Sequence, residues 1–153
     1  MIQHDLLAGK GFFERLDHVA IAVKDTEAAL RVYRDVLRLP LLFSEVLYDQ
    51  NVRLTHLDMG GCHLQLVEPL VAGHALQAYL GERGESLHHM CFLVDDVQEA
   101  IAELPARHGL CSRDPRSRSG PCGRRSIFVD PAGTRGVLFE LTSEGPARPT
   151  AST

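Results

Sequence analysis

The strongest constraint on this chain is that it says nearly the same thing twice. The run Leu16-Asp17-His18-Val19-Ala20-Ile21-Ala22-Val23 returns 71 residues later as Leu87-His88-His89-Met90-Cys91-Phe92-Leu93-Val94. Both runs have strand length, are rich in β-branched or aromatic residues, and end in charged turns. Each carries a histidine at its third position. Each leads through an acidic turn into an amphipathic segment, Asp25-Thr26-Glu27-Ala28-Ala29-Leu30 in one case and Asp96-Val97-Gln98-Glu99-Ala100-Ile101 in the other. The pattern is an internal duplication, and it predicts two copies of one supersecondary unit.

Alternation along a strand places His18 with Leu16, Ala20 and Ala22, while Val19, Ile21 and Val23 face the other way. The second face is the more apolar and is expected to take the helix that follows. His18 and His89 then point away from the helices, into whatever the two halves enclose. A lone histidine there reads as a hydrogen-bonded core residue; a second one at the equivalent place favours a pair of ligands.

Around these strands the first unit continues with a predicted helix over residues 26–37, closed by Pro40, and strands over 41–48, 52–59 and 62–67, the last two joined at Gly60-Gly61. A short helix is expected over 74–80 in the connector. The second unit repeats the order with a helix over 97–108, a polar loop, a strand over 125–129, a turn at Asp130-Pro131-Ala132-Gly133 and a strand over 137–141. The expected fold class is α+β, two βαβββ modules of about 16–70 and 87–142 pairing into a curved sheet with a cleft. Each module is too small to be stable alone, and 153 residues with 44% hydrophobic content is one domain's worth. Residues 1–15 read as a leader with a possible helix from Leu6, and residues 143–153 as a disordered tail.

Composition excludes several classes of partner. With 16 basic and 20 acidic residues, neither nucleic acid nor an anionic membrane is an expected partner. No apolar run reaches membrane-span length and the start lacks signal-peptide character, so the expected location is the cytoplasm. Cys62, Cys91, Cys111 and Cys122 show no C-x-x-C spacing and are expected to be reduced thiols.

The duplication also says where to look for chemistry. In the last strand of the first unit Leu64 and Leu66 make the apolar face, leaving Gln65 and His63 on the other. In the second unit Val137, Phe139 and Leu141 do the same for Glu140. Gln65 and Glu140 are equivalent in the repeat. A buried polar residue between apolar neighbours needs a partner, at a cost of about 1–3 kcal/mol if it lacks one. His18, Gln65, His89 and Glu140, converging from four strands, form a nitrogen and oxygen donor set suited to one divalent ion, with cobalt, manganese, nickel, zinc and iron all acceptable. A hydrogen-bonded polar cluster is the alternative.

These segments resemble the vicinal oxygen chelate superfamily of glyoxalases, bleomycin resistance proteins and dioxygenases. Leu16 to Val23, Gln65 before Leu66-Val67-Glu68-Pro69, Gly84-Glu85-Ser86-Leu87-His88-His89-Met90 and Gly136-Val137-Leu138-Phe139-Glu140-Leu141 look like its methylmalonyl-CoA epimerase branch. The resemblance implies a glyoxalase-like fold, a homodimer, an acyl-CoA substrate, and inversion of an α-carbon through a metal-stabilised enolate. The donor set brings a single negative charge, so a bound ion keeps the positive character a Lewis acid needs.

Two departures from that branch stand out. Several epimerases have a glutamate base where this chain has Leu54, and a histidine before the proline where it has Asp130. His56 shares the face of Leu54 and is the expected replacement base, with His63 a lesser candidate; the same position also suits a rim or interface histidine. His56 and Glu140 are the catalytic candidates. The loop arginines Arg113, Arg116, Arg118, Arg124 and Arg125 are candidates for binding coenzyme A phosphates, Arg124 and Arg125 foremost, with solvated loop charge as the alternative. Other readings stay open: a lyase, isomerase or dioxygenase on another small substrate, or a small-molecule-binding resistance protein.

Overall fold

The computed structural model describes residues 12–144. The helix expected from Leu6 and the end of the chain from 145 lie outside the described residues. The elements run β1 (Arg15–Ala22), α1 (Thr26–Leu30) continuing as a π-helical stretch (Arg31–Val36), β2 (Leu41–Leu47), β3 (Val52–Asp58), β4 (His63–Pro69), α2 (Ala75–Arg83), β5 (Ser86–Leu93), α3 (Val97–His108), β6 (Arg118–Ser119), a 3₁₀ turn (Pro121–Gly123), β7 (Arg125–Phe128) and β8 (Phe139–Ser143). The acidic turns of the repeat are helix caps. Asp25 accepts from the Ala28 amide, and its counterpart Asp96 accepts from Gln98 and Glu99, satisfying N–H groups that the first helical turn leaves unpaired.

All eight strands form one mixed sheet, curled into a half-barrel, in the order β2-β3-β4-β1-β5-β8-β7-β6. The order is symmetric about its middle. β1 pairs parallel with β4 and β5 parallel with β8, while β1 and β5 join the two halves antiparallel. The apolar faces lie where alternation puts them: Ile21, Leu57, Leu64 and Leu66 pack with Leu30 of α1, and Ile127, Leu141 and Phe139 pack with Val97, Ala100 and Leu104 of α3. The opposite, concave face is lined in the first half by Ala20, Ala22, Leu54 and Val67, closed by Leu76 and Leu80 of α2. Among the described residues no helix is long and apolar enough to cross a membrane, and all four cysteines are free.

The structure departs from the expected elements in four places. The stretch expected as a polar loop contains β6, which pairs Arg118 with Ser126 and completes the fourth strand of the second half. β8 begins at Phe139 rather than Val137, because the turn extends further. The Gly136 amide bonds back to Pro131, with Arg135 and Gly136 both at positive φ. The first helix changes after Leu30 to π-type bonding, with the Leu37 amide reaching Val32. Phe12 and Phe13, expected in the leader, are packed: Phe13 stacks on Phe92 at 4.3 Å, and Phe12 joins the core beneath α3.

Candidate functional site

The two central strands and β8 bring His18, His89 and Glu140 together, with ligand atoms all within 4.8 Å of one another and all three side chains buried. Glu140 Oε2 lies 3.2 Å from His18 Nε2 and 3.1 Å from His89 Nε2. Burial pushes the Glu140 carboxyl up, yet His89, His18 and Arg118 outweigh it and hold it well below the usual carboxylate range. The group is therefore an anion in the interior.

Register explains why both imidazoles are so well held. Between β1 and β5 the pairing skips one residue on each strand, at Asp17 on β1 and at His88 on β5. These positions are equivalent in the repeat, each directly before its candidate ligand histidine. A bulge interrupts strict alternation and re-aims the side chain. Asp17 Oδ2 lies 2.8 Å from His18 Nδ1, and His88 Nδ1 lies 2.8 Å from His89 Nδ1. Each engages the ring nitrogen that leaves Nε2 to face Glu140, the outer-shell arrangement typical of metal-bound histidine. Burial lowers His18, but Asp17 and Glu140 raise it further, to about 9. His88, pushed down to about 4 chiefly by burial, is neutral near pH 7 and can accept the His89 proton.

A divalent ion fits this site on two observations. The fully buried His18 Nε2 makes no aligned hydrogen bond although Glu140 Oε2 lies 3.2 Å away, and an ion held between them would engage both atoms. Two imidazole nitrogens and a carboxylate oxygen, with the Gln65 amide lining the same cavity as His89 and Glu140, also make a donor set for borderline metals. The neighbouring group of Asp17, His18 and Cys91 does not serve. Asp17 is taken by His18 and Arg124, and burial pushes the Cys91 thiol well above its ordinary value.

Several expected site residues are placed elsewhere. His56 is buried and does not line the cavity that Gln65, His89 and Glu140 share. Its Nε2 is 3.1 Å from Gln65 Nε2, its Nδ1 is 3.3 Å from His63 Nδ1, and its ring stacks on Phe43 at 4.4 Å. Burial first, then the charges of His18 and His63, lower it to about 3. It stands beside the Gln65 amide rather than among the residues that line the cavity. A neutral His56 accepting the Gln65 N–H turns the amide oxygen away from itself.

Nor do Arg124 and Arg125 reach the cavity. Arg124 binds Asp17 Oδ1 at 2.8 Å, and Arg125 binds Ser117. The arginines on the cavity wall are Arg113 and Arg118, and Arg118 donates to Glu140 Oε1 at 2.5 Å. The cavity is about 380 Å³, with Leu54 in its wall and Tyr79 and His74 at the side of α2. Asp17 and His88 are the site residues that sequence reasoning missed, and Arg118, one of the five loop arginines considered for coenzyme A phosphates, stands beside Glu140. The repeat held a signal for Asp17 and His88, since each directly precedes a candidate ligand histidine.

Alternation alone puts His88 on the far side of the strand, so that His88→Ala leaves metal binding untouched. The bulge reverses this expectation. His88→Ala is expected to weaken metal binding about 10–100-fold, the usual effect of deleting an outer-shell partner. Metal competition titration against a chromophoric chelator measures it, and unchanged affinity would show that His88 is a bystander.

A family model described as the Glyoxalase/Bleomycin resistance protein/Dioxygenase superfamily matches residues 17–127. The chain is 37% identical over 128 residues to the uncharacterised protein YqjC of Bacillus subtilis, covering 83% of this chain and 90% of that protein. It is 31% identical over 128 residues to the mitochondrial methylmalonyl-CoA epimerase of Mus musculus, covering 83% of this chain and 71% of the relative. A solved structure of a Streptomyces coelicolor methylmalonyl-CoA epimerase variant in complex with 2-nitronate-propionyl-CoA matches with a TM-score of 0.80 at 30% identity, over 88% of this chain and 99% of that one.

Proposed function

The chain belongs to the glyoxalase/bleomycin resistance protein/dioxygenase superfamily and is an isomerase of the epimerase kind, and we propose that it inverts the α-carbon of a methylmalonyl-CoA-type thioester. The observation that carries this reading is the buried cluster of His18, His89 and Glu140, of which His89 and Glu140 line a cavity together with Gln65. We take these four residues as the ligands of one divalent ion, with Asp17 and His88 holding the two imidazoles. When bound, the ion supplies Lewis-acid polarisation of a carbonyl next to the acidic carbon. With that carbonyl polarised, the α-proton would pass to a basic group on the cavity wall, leaving an enolate, and a proton would be delivered from an acid on the opposite face.

The cavity wall has Leu54 where related epimerases carry a glutamate, and His56 lies behind Gln65. Proton transfer therefore falls to other groups on that wall, with Glu140 kept as a catalytic candidate. The reading includes a homodimer in the cytoplasm. What supports the dimer is the run of exposed apolar side chains at Val32, Val36, Leu37, Leu41 and Leu42.

Incubation with methylmalonyl-CoA in deuterium oxide tests the reaction. The expected result is incorporation of one deuteron at the α-carbon, together with convergence of the two epimers, followed by mass spectrometry and NMR. No exchange from a metal-loaded preparation sinks the epimerase reading. That outcome favours instead a superfamily enzyme acting on another small substrate, the alternative to which the apolar Leu54 in the cavity wall points.

A further inference from the structure

We infer that Arg118, with Arg113 beside it, is the receptor for the free carboxylate of the acyl group. This rests on the epimerase reading and names the part of the site that selects an acidic acyl chain. Both guanidinium groups stack on the Phe128 ring, at 4.3 Å for Arg113 and 4.0 Å for Arg118. Phe128 is buried and meets His89 edge-on at 5.0 Å. Stacking fixes the plane of a guanidinium and leaves its in-plane N–H groups for an anion, the geometry a carboxylate matches in two-point contact. Among the described residues the Arg118 side chain makes one hydrogen bond, to Glu140. The remaining donors of its fork stand at the wall of a cavity.

The strand order gives this cation a direction. Leu54 and Val67, on β3 and β4, line the cavity on one side of the central strands, and Arg118 on β6 lines it on the other, with His89 and Glu140 between. A substrate spanning the cavity meets an apolar wall at one end and a positive charge at the other. An α-alkyl malonyl thioester has that polarity, its alkyl group toward Leu54 and its acid toward Arg118. Coenzyme A phosphates share the anionic chemistry but are separated from the thioester by the whole pantetheine arm. Arg118 touches Glu140 itself, and so meets the acyl end.

Calorimetric titration of the metal-loaded wild type and Arg118→Gln with methylmalonyl-CoA, propionyl-CoA and the dephospho form of methylmalonyl-CoA separates these sources. The wild type is expected to prefer methylmalonyl-CoA over propionyl-CoA. With metal kept at saturation, Arg118→Gln is expected to bind methylmalonyl-CoA about 10–100-fold more weakly, against a much smaller change for propionyl-CoA. Arg118→Lys, which keeps the charge but loses the fork, should recover part of the loss. Equal weakening toward both thioesters overturns the proposal. So does a loss confined to ligands that carry the 3′-phosphate, which assigns Arg118 to coenzyme A. A wild type that prefers the carboxylated ligand yet exchanges no α-proton ends the epimerase reading and leaves the carboxylate site standing.

Discussion

Glu140→Ala is expected to release most of the bound divalent ion and to lower α-proton exchange at least about 10²-fold, since even outer-shell deletions at metal sites commonly cost 10–100-fold. Glu140 is the one carboxylate in the buried cluster, and a single oxygen of it lies between both imidazoles. No neighbouring group replaces it: Cys91 is held as a neutral thiol by burial, and Asp17 is committed to His18 and Arg124. The sheet is expected to survive. The neighbours of Glu140 on β8, Phe139 and Leu141, pack beneath α3 on the other face, and they are untouched by the change. Elemental analysis and a thermal melt check the two halves of the expectation. Stoichiometric metal at unchanged affinity in this variant would falsify the assignment of the centre.

The second large effect concerns His56, which the fold places beside Gln65 rather than on the cavity wall. A general base on the cavity wall contributes about 10²–10⁴-fold in rate, and its removal leaves metal binding alone. His56 instead holds the Gln65 amide from behind, with its other nitrogen toward His63 and its ring on Phe43. His56→Phe keeps an aromatic ring for the stack and removes both nitrogens. The expected result is a metal affinity about 10–100-fold weaker, with turnover largely recovered once metal is added to saturation. Leaving the buried amide of Gln65 without its partner should also cost about 1–3 kcal/mol of stability. His56→Gln, which can still accept from the amide, is expected to restore part of the affinity. If His56→Phe binds metal as the wild type does and loses turnover at every metal concentration, His56 acts on the substrate after all, through an access route this structure lacks.

How far the sequence reached is clearest at particular positions. The 71-residue repeat foretold a sheet of two matching halves, and alternation put His18, Gln65, His89 and Glu140 on the face opposite the helices. Both are periodic signals carried by the local chain. The acidic residues Asp25 and Asp96 marked where the helices begin, because a cap is an exchange of hydrogen bonds within a few residues. Neither the identity of the partner strand nor a break in register is written in that local period. The bulges at Asp17 and His88 exist only once β1 and β5 are paired, and they turn His88 from a residue on the far face into the neighbour of His89.

The arginines show the same limit from another side. Arg113, Arg118, Arg124 and Arg125 lie in one stretch with no period to sort them. Only the closing of β6 onto β7, and of β7 onto β8, sends Arg118 to Glu140 and Arg124 to Asp17. The sequence by itself determined which faces are apolar, where the two units begin and which residues are able to bind a metal. The tertiary structure decided which polar side chains reach the cavity and which, like His56, stand behind it. Depth and long-range pairing come from contacts between segments far apart in the chain, and no single segment carries that information.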